Sequence, residues 1–241
     1  MLSESISNSV REKVFFLFES IKPWSCTDQF LLTYNARTTY KLFLDFNEIE
    51  LHKKPFSIDS FCGMLCIDDL GSTIVINDRH IPSRQLFTIY HEFGHYCLHR
   101  DIQSHFIENG LNDGYSSTEL EMEQEANLFA SELLVPTEVL VMMMNRKFSF
   151  NKIAHIIGIS SEALKWRIYR YLRETYELHH RFALGLVEEY KSMSFKGKVH
   201  DSLIFHLSND KYLLFEIYEA LNGRESYLAN YIRDSKVGVI F

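Results

Sequence analysis

His91 and His95 stand four residues apart, with Glu92 between them, inside the apolar stretch 87–100. On an α-helix that spacing stacks the two imidazoles on one face, with Cβ atoms about 5–6 Å apart, so one cation can take a nitrogen from each. Glu92, one residue on from His91, leans to the side of that position. There a carboxylate can accept a proton from water polarised by the ion without becoming a ligand itself. The pattern has the chemistry of a zinc hydrolase. Leu86, Phe87, Ile89, Tyr90, Phe93, Cys97 and Leu98 make the rest of the helix mostly apolar, which sets the polar groups into a buried stripe. Buried polar groups need partners, and a metal supplies one. Gly94 costs about 1 kcal/mol of helix propensity against Ala, and its missing side chain suits close backbone packing beside the site.

A catalytic zinc keeps three protein ligands and one open position, so a third ligand must come from elsewhere in the chain. A metzincin would need Gly and His where this chain has Leu98 and Asp101. Residues 119–134 read as a helix that offers Glu121, Glu123, Glu125 and Glu132. Glu125 shares its face with Leu128, Phe129 and Leu133, a phase that points it inward. By the same phase Glu123 turns nearly away, and Glu121, one turn earlier, is the rival.

Taken together, Arg84, Phe87, His91-Glu92-x-Gly94-His95 and His99, followed by Glu123-x-Glu125-Ala126-Asn127-x-Phe129-Ala130 and Leu133-Leu134-x-Pro136, resemble the ImmA/IrrE family of zinc metallopeptidases. The likeness covers about residues 45–175, and two motifs in one chain are far more specific than either alone. The resemblance implies that His91, His95 and Glu125 ligate zinc and that Glu92 is the general base. It also implies a protein substrate, a helix-turn-helix repressor encoded nearby. Thermolysin-like enzymes often place an Asp four residues after the ligand glutamate to orient a ligand histidine. Counted from Glu125 that position is Phe129, so the histidines must be supported differently; His99, one turn beyond His95, is a candidate. The competing reading is a catalytically silent regulatory protein that binds a repressor, an antitoxin or DNA. The intact Glu92 weighs against it, since a binding-only site has no need of a general base.

A chain of 241 residues with 46% hydrophobic and 14% aromatic content can bury one good core and a smaller appendage. Residues 1–21 carry Glu4, Arg11, Glu12 and Glu19 through their apolar positions, a pattern of neither a signal peptide nor a membrane span, so the expected location is the cytoplasm with no membrane partner. Cys26, Cys62, Cys66 and Cys97 lack zinc-knuckle spacing and read as small core residues. A formal charge of −7 disfavours indiscriminate attraction to nucleic acid.

The elements that must position the site are predicted as α+β and mainly helical. Val10, Val14, Phe15, Leu17, Phe18 and Ile21 recur at helical spacing, and residues 27–46 read as mainly helical. Three short strands at 48–53, 64–68 and 73–77 form a small sheet, the last two as a hairpin around Asp69-Leu70-Gly71. Residues 73–77 read either as an edge strand open to an extended peptide or as an interior strand. Ser83 is a candidate cap for the metal helix, and residues 105–117, with Asn109-Gly110 and Asp113-Gly114, read as a turn-rich link between the two metal-bearing helices. Tyr90, Tyr96, His99, His105 and Tyr115 are candidate donors to an oxyanion, with nothing in the spacing to choose among them.

Beyond Pro136, Met142-Met143-Met144 read as flexible core filler. Ile153, Ala154, Ile157, Gly158-Ile159-Ser160, Ala163, Leu164, Ile168 and Leu172 then read as two helices around a tight turn, similar to a helix-turn-helix. Lys165, Arg167, Arg170 and Arg173 could meet phosphates, but a scaffold or docking role is favoured over direct DNA binding. Residues 176–241 are expected to be helical, with apolar spacing at 182–190 and 212–221, breaks near 194–198 and at Gly223, and a short apolar tail at 237–241. The expected organisation is a zincin-like peptidase domain at 1–140, a helix-turn-helix-like module at 141–175 and a helical region at 176–241.

Overall fold

Ser3 opens the first helix by accepting a hydrogen bond from the backbone N–H of Ile6, and helix α1 (Glu4–Ile21) follows. The computed structural model describes residues 2–109 and 116–207, and the chain divides into two compact units, Met1–Pro136 and Thr137–Phe241. Val10, Val14 and Phe18, each four residues on from the last, are the buried stripe of α1. Phe15, expected on that stripe, is exposed, because it falls about 100° round the helix from Val14.

Residues 27–46 resolve into two helices, α2 (Thr27–Thr33) and α3 (Ala36–Phe46). The break comes at Asn35, whose side chain caps α3 by accepting from the Arg37 N–H. Two buried tyrosines tie this region to the helices that matter for the site. The Tyr34 hydroxyl donates to the Leu133 carbonyl at 2.7 Å and the Tyr90 hydroxyl to the Ala36 carbonyl at 3.0 Å.

The sheet consists of β1 (Ile49–Lys54), β2 (Phe61–Asp68), β3 (Gly71–Asn77) and β4 (His105–Asn109), in the order β1-β3-β2-β4. β2 and β3 form the expected antiparallel hairpin, with Leu65 opposite Ile74, while β1 runs parallel to β3. The strand that precedes the metal helix is therefore interior, not an edge. Its run of β-branched residues fits that place, since Ile74 and Ile76 are fully buried. β4 is an addition to the three expected strands. Its residues alternate poorly and read as part of a turn-rich link, yet pairing with β2, Leu65 opposite Phe106, supplies the backbone partners that its own sequence does not advertise. Residues 110–115 of that link, with Tyr115, lie outside the described residues.

Helix α4 (Pro82–His99) follows β3. It is not capped by Ser83; Ile81 is its N-cap without a side-chain bond, and Pro82 occupies the first turn, where a missing N–H costs nothing. Helix α5 (Ser117–Leu134) opens with a reciprocal capping box, in which the Ser116 N–H donates to Glu119 Oε2 at 2.8 Å and the Glu119 N–H to Ser116 Oγ at 3.3 Å. α4 lies on β2 and β3 with one face and against α5 with another.

The second unit holds α6 (Thr137–Asn145), α7 (Phe150–Ile157), α8 (Ser161–Thr175) and α9 (His180–Phe195), followed by two short 3-10 turns. Met143 and Met144 are buried, as core filler should be. Between α7 and α8, Gly158 takes φ 85°, a left-handed conformation that glycine adopts without penalty, and Ser160 then caps α8. The helix-turn-helix-like pair is thus present in shape, and two of the four basic residues of α8 are engaged within the unit. Arg167 is 2% exposed and donates to Thr137 Oγ1 at 2.7 Å, and the Lys165 ammonium pairs with Glu188. The expected features at 212–221, Gly223 and 237–241 lie outside the described residues. Ser117–Asn145 is long and apolar enough to cross a membrane by composition, but 67% of that window is buried inside the protein, as in a core helix.

Candidate metal centre

On α4 the imidazoles of His91 and His95 sit one turn apart with ring centroids 4.8 Å from each other and Nε2 atoms at 3.1 Å. Both are 1% exposed. From α5 the carboxylate that meets them is that of Glu123: Oε2 lies 3.2 Å from His91 Nε2 and Oε1 3.4 Å from His95 Nε2. A tetrahedral ion with bonds of about 2.0–2.1 Å needs its ligand atoms about 3.3–3.4 Å apart, and the three separations observed bracket that value. The donor set, two imidazoles and a carboxylate, is also one that zinc takes.

Glu125, the carboxylate expected at this position, is directed elsewhere, to His99 Nε2 at 3.0 Å. The difference is one of helix phase. The expectation set the inward direction of α5 by Leu128, Phe129 and Leu133, but the side turned to α4 at its closest approach carries Ala126 together with Phe129. A Cβ placed on Gly94 would lie 3.3 Å from Ala126 Cα and 3.0 Å from Phe129 Cδ1. Glu123 is three residues before Ala126 and four before Asn127, so it shares their side of the helix. Glu121 is exposed and outside the group. The pairing of Gly94 with Ala126 was the available signal, since a glycine facing an alanine marks where two helices come closest.

With Glu123 as the reference, the residue four positions on is Asn127, and its Oδ1 lies 3.2 Å from His91 Nδ1. An amide oxygen only accepts, so with a cation on Nε2 His91 would carry its proton on Nδ1 and donate it to Asn127. His95 Nδ1 faces His99 Nδ1 at 3.0 Å. The Phe106 ring of β4 stacks on His95 at 4.5 Å between centroids, closing one side of the pocket to water.

Burial lowers the pKa of His95 to about 4, outweighing its hydrogen bond with Glu123, and burial lowers that of His99 as well, against the bond to Glu125. For the Glu123 carboxyl, burial acts upward, but hydrogen bonds and charge from His91 and His95 together outweigh it and hold the group at about 2. Near neutral pH His95 is therefore a neutral imidazole beside an ionised Glu123, the protonation state that binds a cation.

Glu92 is 0% exposed. A Cβ on Gly63 of β2 would come within 2.5 Å of Thr88 Cγ2, 3.0 Å of the Val75 carbonyl oxygen and 3.4 Å of Glu92 Oε1, so only a glycine lets β2 lie this close to α4 beside the carboxylate. Among the expected oxyanion donors, Tyr90 gives its hydroxyl to Ala36 and His99 is held between His95 and Glu125. Tyr96 lies under the Arg100 guanidinium, and His105 Nδ1 meets Ser104 Oγ. The cysteines are free thiols: Arg84 donates to the buried Cys62 Sγ at 2.9 Å, and burial pushes the Cys97 thiol up to about 12.

A small mixed sheet backing a helix pair, with two histidines of one helix facing a glutamate of the other, defines the chain as peptidase-like. Residues 41–169 match the peptidase family described as the IrrE N-terminal-like domain, and the chain belongs to that family. It is also similar to "Uncharacterized immunity region protein 2" of Bacillus phage phi105, with 32% identity over 100 residues. That likeness takes in 42% of this chain and 61% of the relative, so the chain spans less than two thirds of the phage protein's length.

Proposed function

We propose that the protein is a zinc-dependent endopeptidase that cleaves a specific cytoplasmic partner, a helix-turn-helix repressor or antitoxin-like protein. His91, His95 and Glu123 would hold the ion. The observation that carries this reading is the convergence of the two Nε2 atoms, 3.1 Å apart, with the Glu123 carboxylate, whose two oxygens lie 3.2 and 3.4 Å from them. Bound there, zinc supplies Lewis acidity to a peptide carbonyl and to water.

The chain's own residues do the rest. His91 and His95 present neutral Nε2 atoms, and Glu123 contributes the negative charge that balances the cation. Glu92 takes the proton from the attacking water as the C–O bond forms and delivers it to the amide nitrogen as the C–N bond breaks. The low-dielectric wall of Phe106 and the buried face of α4 strengthen every charge interaction inside the site. A regulatory protein partner is in keeping with the phage relative's naming after an immunity region.

One observation favours a catalytically silent binding protein instead: Glu92 is fully enclosed, so water reaches it only through the site. The two readings separate on Glu92→Gln. In a cell that co-expresses the repressor-like product of the adjacent reading frame, the variant should keep zinc and partner yet lose cleavage by about 10²–10⁴-fold. Equal loss of the repressor with either form would favour the silent protein.

A further inference from the structure

Glu125 does not meet the proposed metal position, yet it is joined to it. Its Oε2 lies 3.0 Å from His99 Nε2, His99 Nδ1 lies 3.0 Å from His95 Nδ1, and His95 Nε2 faces Glu123 and His91. We propose that Glu125 and His99 form a relay of hydrogen bonds that sets the tautomer and the ring orientation of His95, so that its Nε2 lone pair is presented to the metal. The proposal rests on His91, His95 and Glu123 being the metal-binding set.

The assignment follows from counting protons. A neutral imidazole carries one N–H. A carboxylate accepts and cannot donate, so Glu125 fixes the single proton of His99 on Nε2 and leaves Nδ1 as an acceptor. His95 Nδ1, facing that acceptor, must then be the donor, and its own single proton is used there. With a cation on His95 Nε2, only the lone pair remains there. The reverse arrangement would then aim the His99 Nε2 lone pair at the Glu125 carboxylate and the His95 Nε2–H at the ion, which is unfavourable at both ends; without the ion, the Glu123 carboxylate 3.4 Å from His95 Nε2 competes for that proton.

His95 and His99 are nearly fully buried, at 1% and 2% exposed, so water does not readily substitute for a missing partner. The ligand histidine one turn earlier, His91, meets an amide, Asn127, at Nδ1. The Nδ1 atoms of the two histidines thus face unlike partners. Glu125 and His99 are positioning residues, since neither reaches the metal-facing nitrogen.

The direct test is long-range ¹H–¹⁵N NMR of the zinc-loaded full chain with labelled histidine, assigned through His99→Gln. His95 is expected with its proton on Nδ1 and His99 as the Nε2–H tautomer. Zinc affinity, measured by competition with a chromophoric chelator, should fall about 10–100-fold in Glu125→Leu. Glu125→Gln, whose amide oxygen can still accept from His99, should recover much of that loss, and Glu125→Leu with His99→Leu should cost little more than either alone. His99 found with its proton on Nδ1, or an affinity unchanged in Glu125→Leu, would overturn the relay while leaving the metal set intact. If instead Glu123→Leu retained zinc and Glu125→Leu abolished it, the metal set itself would be wrong and the relay with it.

Discussion

Glu123 faces His91 and His95, Glu125 faces His99 and Glu121 is exposed, so single substitutions should separate their proposed roles. The purified chain is expected to hold about one zinc. His91→Ala, His95→Ala and Glu123→Ala should each reduce that to a small fraction by elemental analysis, whereas Glu121→Ala should leave it bound. Acid should also destabilise the metal-free protein. The folded-state pKa of His95 is about 4 against an ordinary 6.5, so the unfolded chain binds the extra proton between those values. Stability from His95 is then full above about pH 6.5 and lost as the pH falls toward 4, on the order of 3 kcal/mol if undiluted by other groups. Urea titrations across that window should show the loss, and His95→Gln should flatten it. His91, Glu92 and His95 were legible as a set in the sequence because one helix turn holds all three. Glu123 was not, because which of several neighbouring carboxylates faces α4 depends on where the helix is approached most closely, a property of two helices together.

At the scale of elements, the contact of α4 with α5 brings the carboxylate to the imidazoles. Gly94→Ala adds a methyl 3.3 Å from the Ala126 backbone and 3.0 Å from the Phe129 ring, and backbone cannot yield as a flexible side chain can. Helix propensity gains about 1 kcal/mol from the change, but overpacking costs about 1–3 kcal/mol. The net result should be a modest loss of thermal stability with a larger loss of zinc affinity, read by calorimetry and chelator competition. In α8 the expectation concerns Arg167. Arg167→Ala removes a buried guanidinium and its bond to Thr137, and should destabilise the fold by about 1–3 kcal/mol in a denaturant titration. Substitutions there report on folding, whereas any phosphate contact must be sought at exposed positions. The helix-turn-helix-like shape was legible from Gly158 and the apolar spacing around it; that Arg167 faces inward was not, since a charge run gives no sign of which member finds a buried partner. β4 escaped notice for a similar reason, as its pairing is supplied by β2.

For the whole molecule, all the residues of the proposed metal set lie within the unit Met1–Pro136. Zinc that binds only the folded state should add about 2.7 kcal/mol at a free concentration a hundred times its dissociation constant. A rise in melting temperature on adding zinc, absent in Glu123→Ala, is the expected outcome. The fold class was legible because long periodic helices and β-branched runs declare themselves locally. The sheet order arises from contacts distant in the chain, and no local pattern carries it.

The cysteines make the protein chemically uneven in a useful way. Cys26 is exposed, Cys62 is buried beneath Arg84, Cys66 on β2 is half-buried, and Cys97, on the metal helix itself, has its thiol pushed up by burial. In a Cys66→Ser background, a maleimide dye used sparingly at neutral pH should therefore mark the short link between α1 and α2 and spare Cys62 and Cys97. That would leave a fluorescent handle on a chain whose candidate centre is still unmodified.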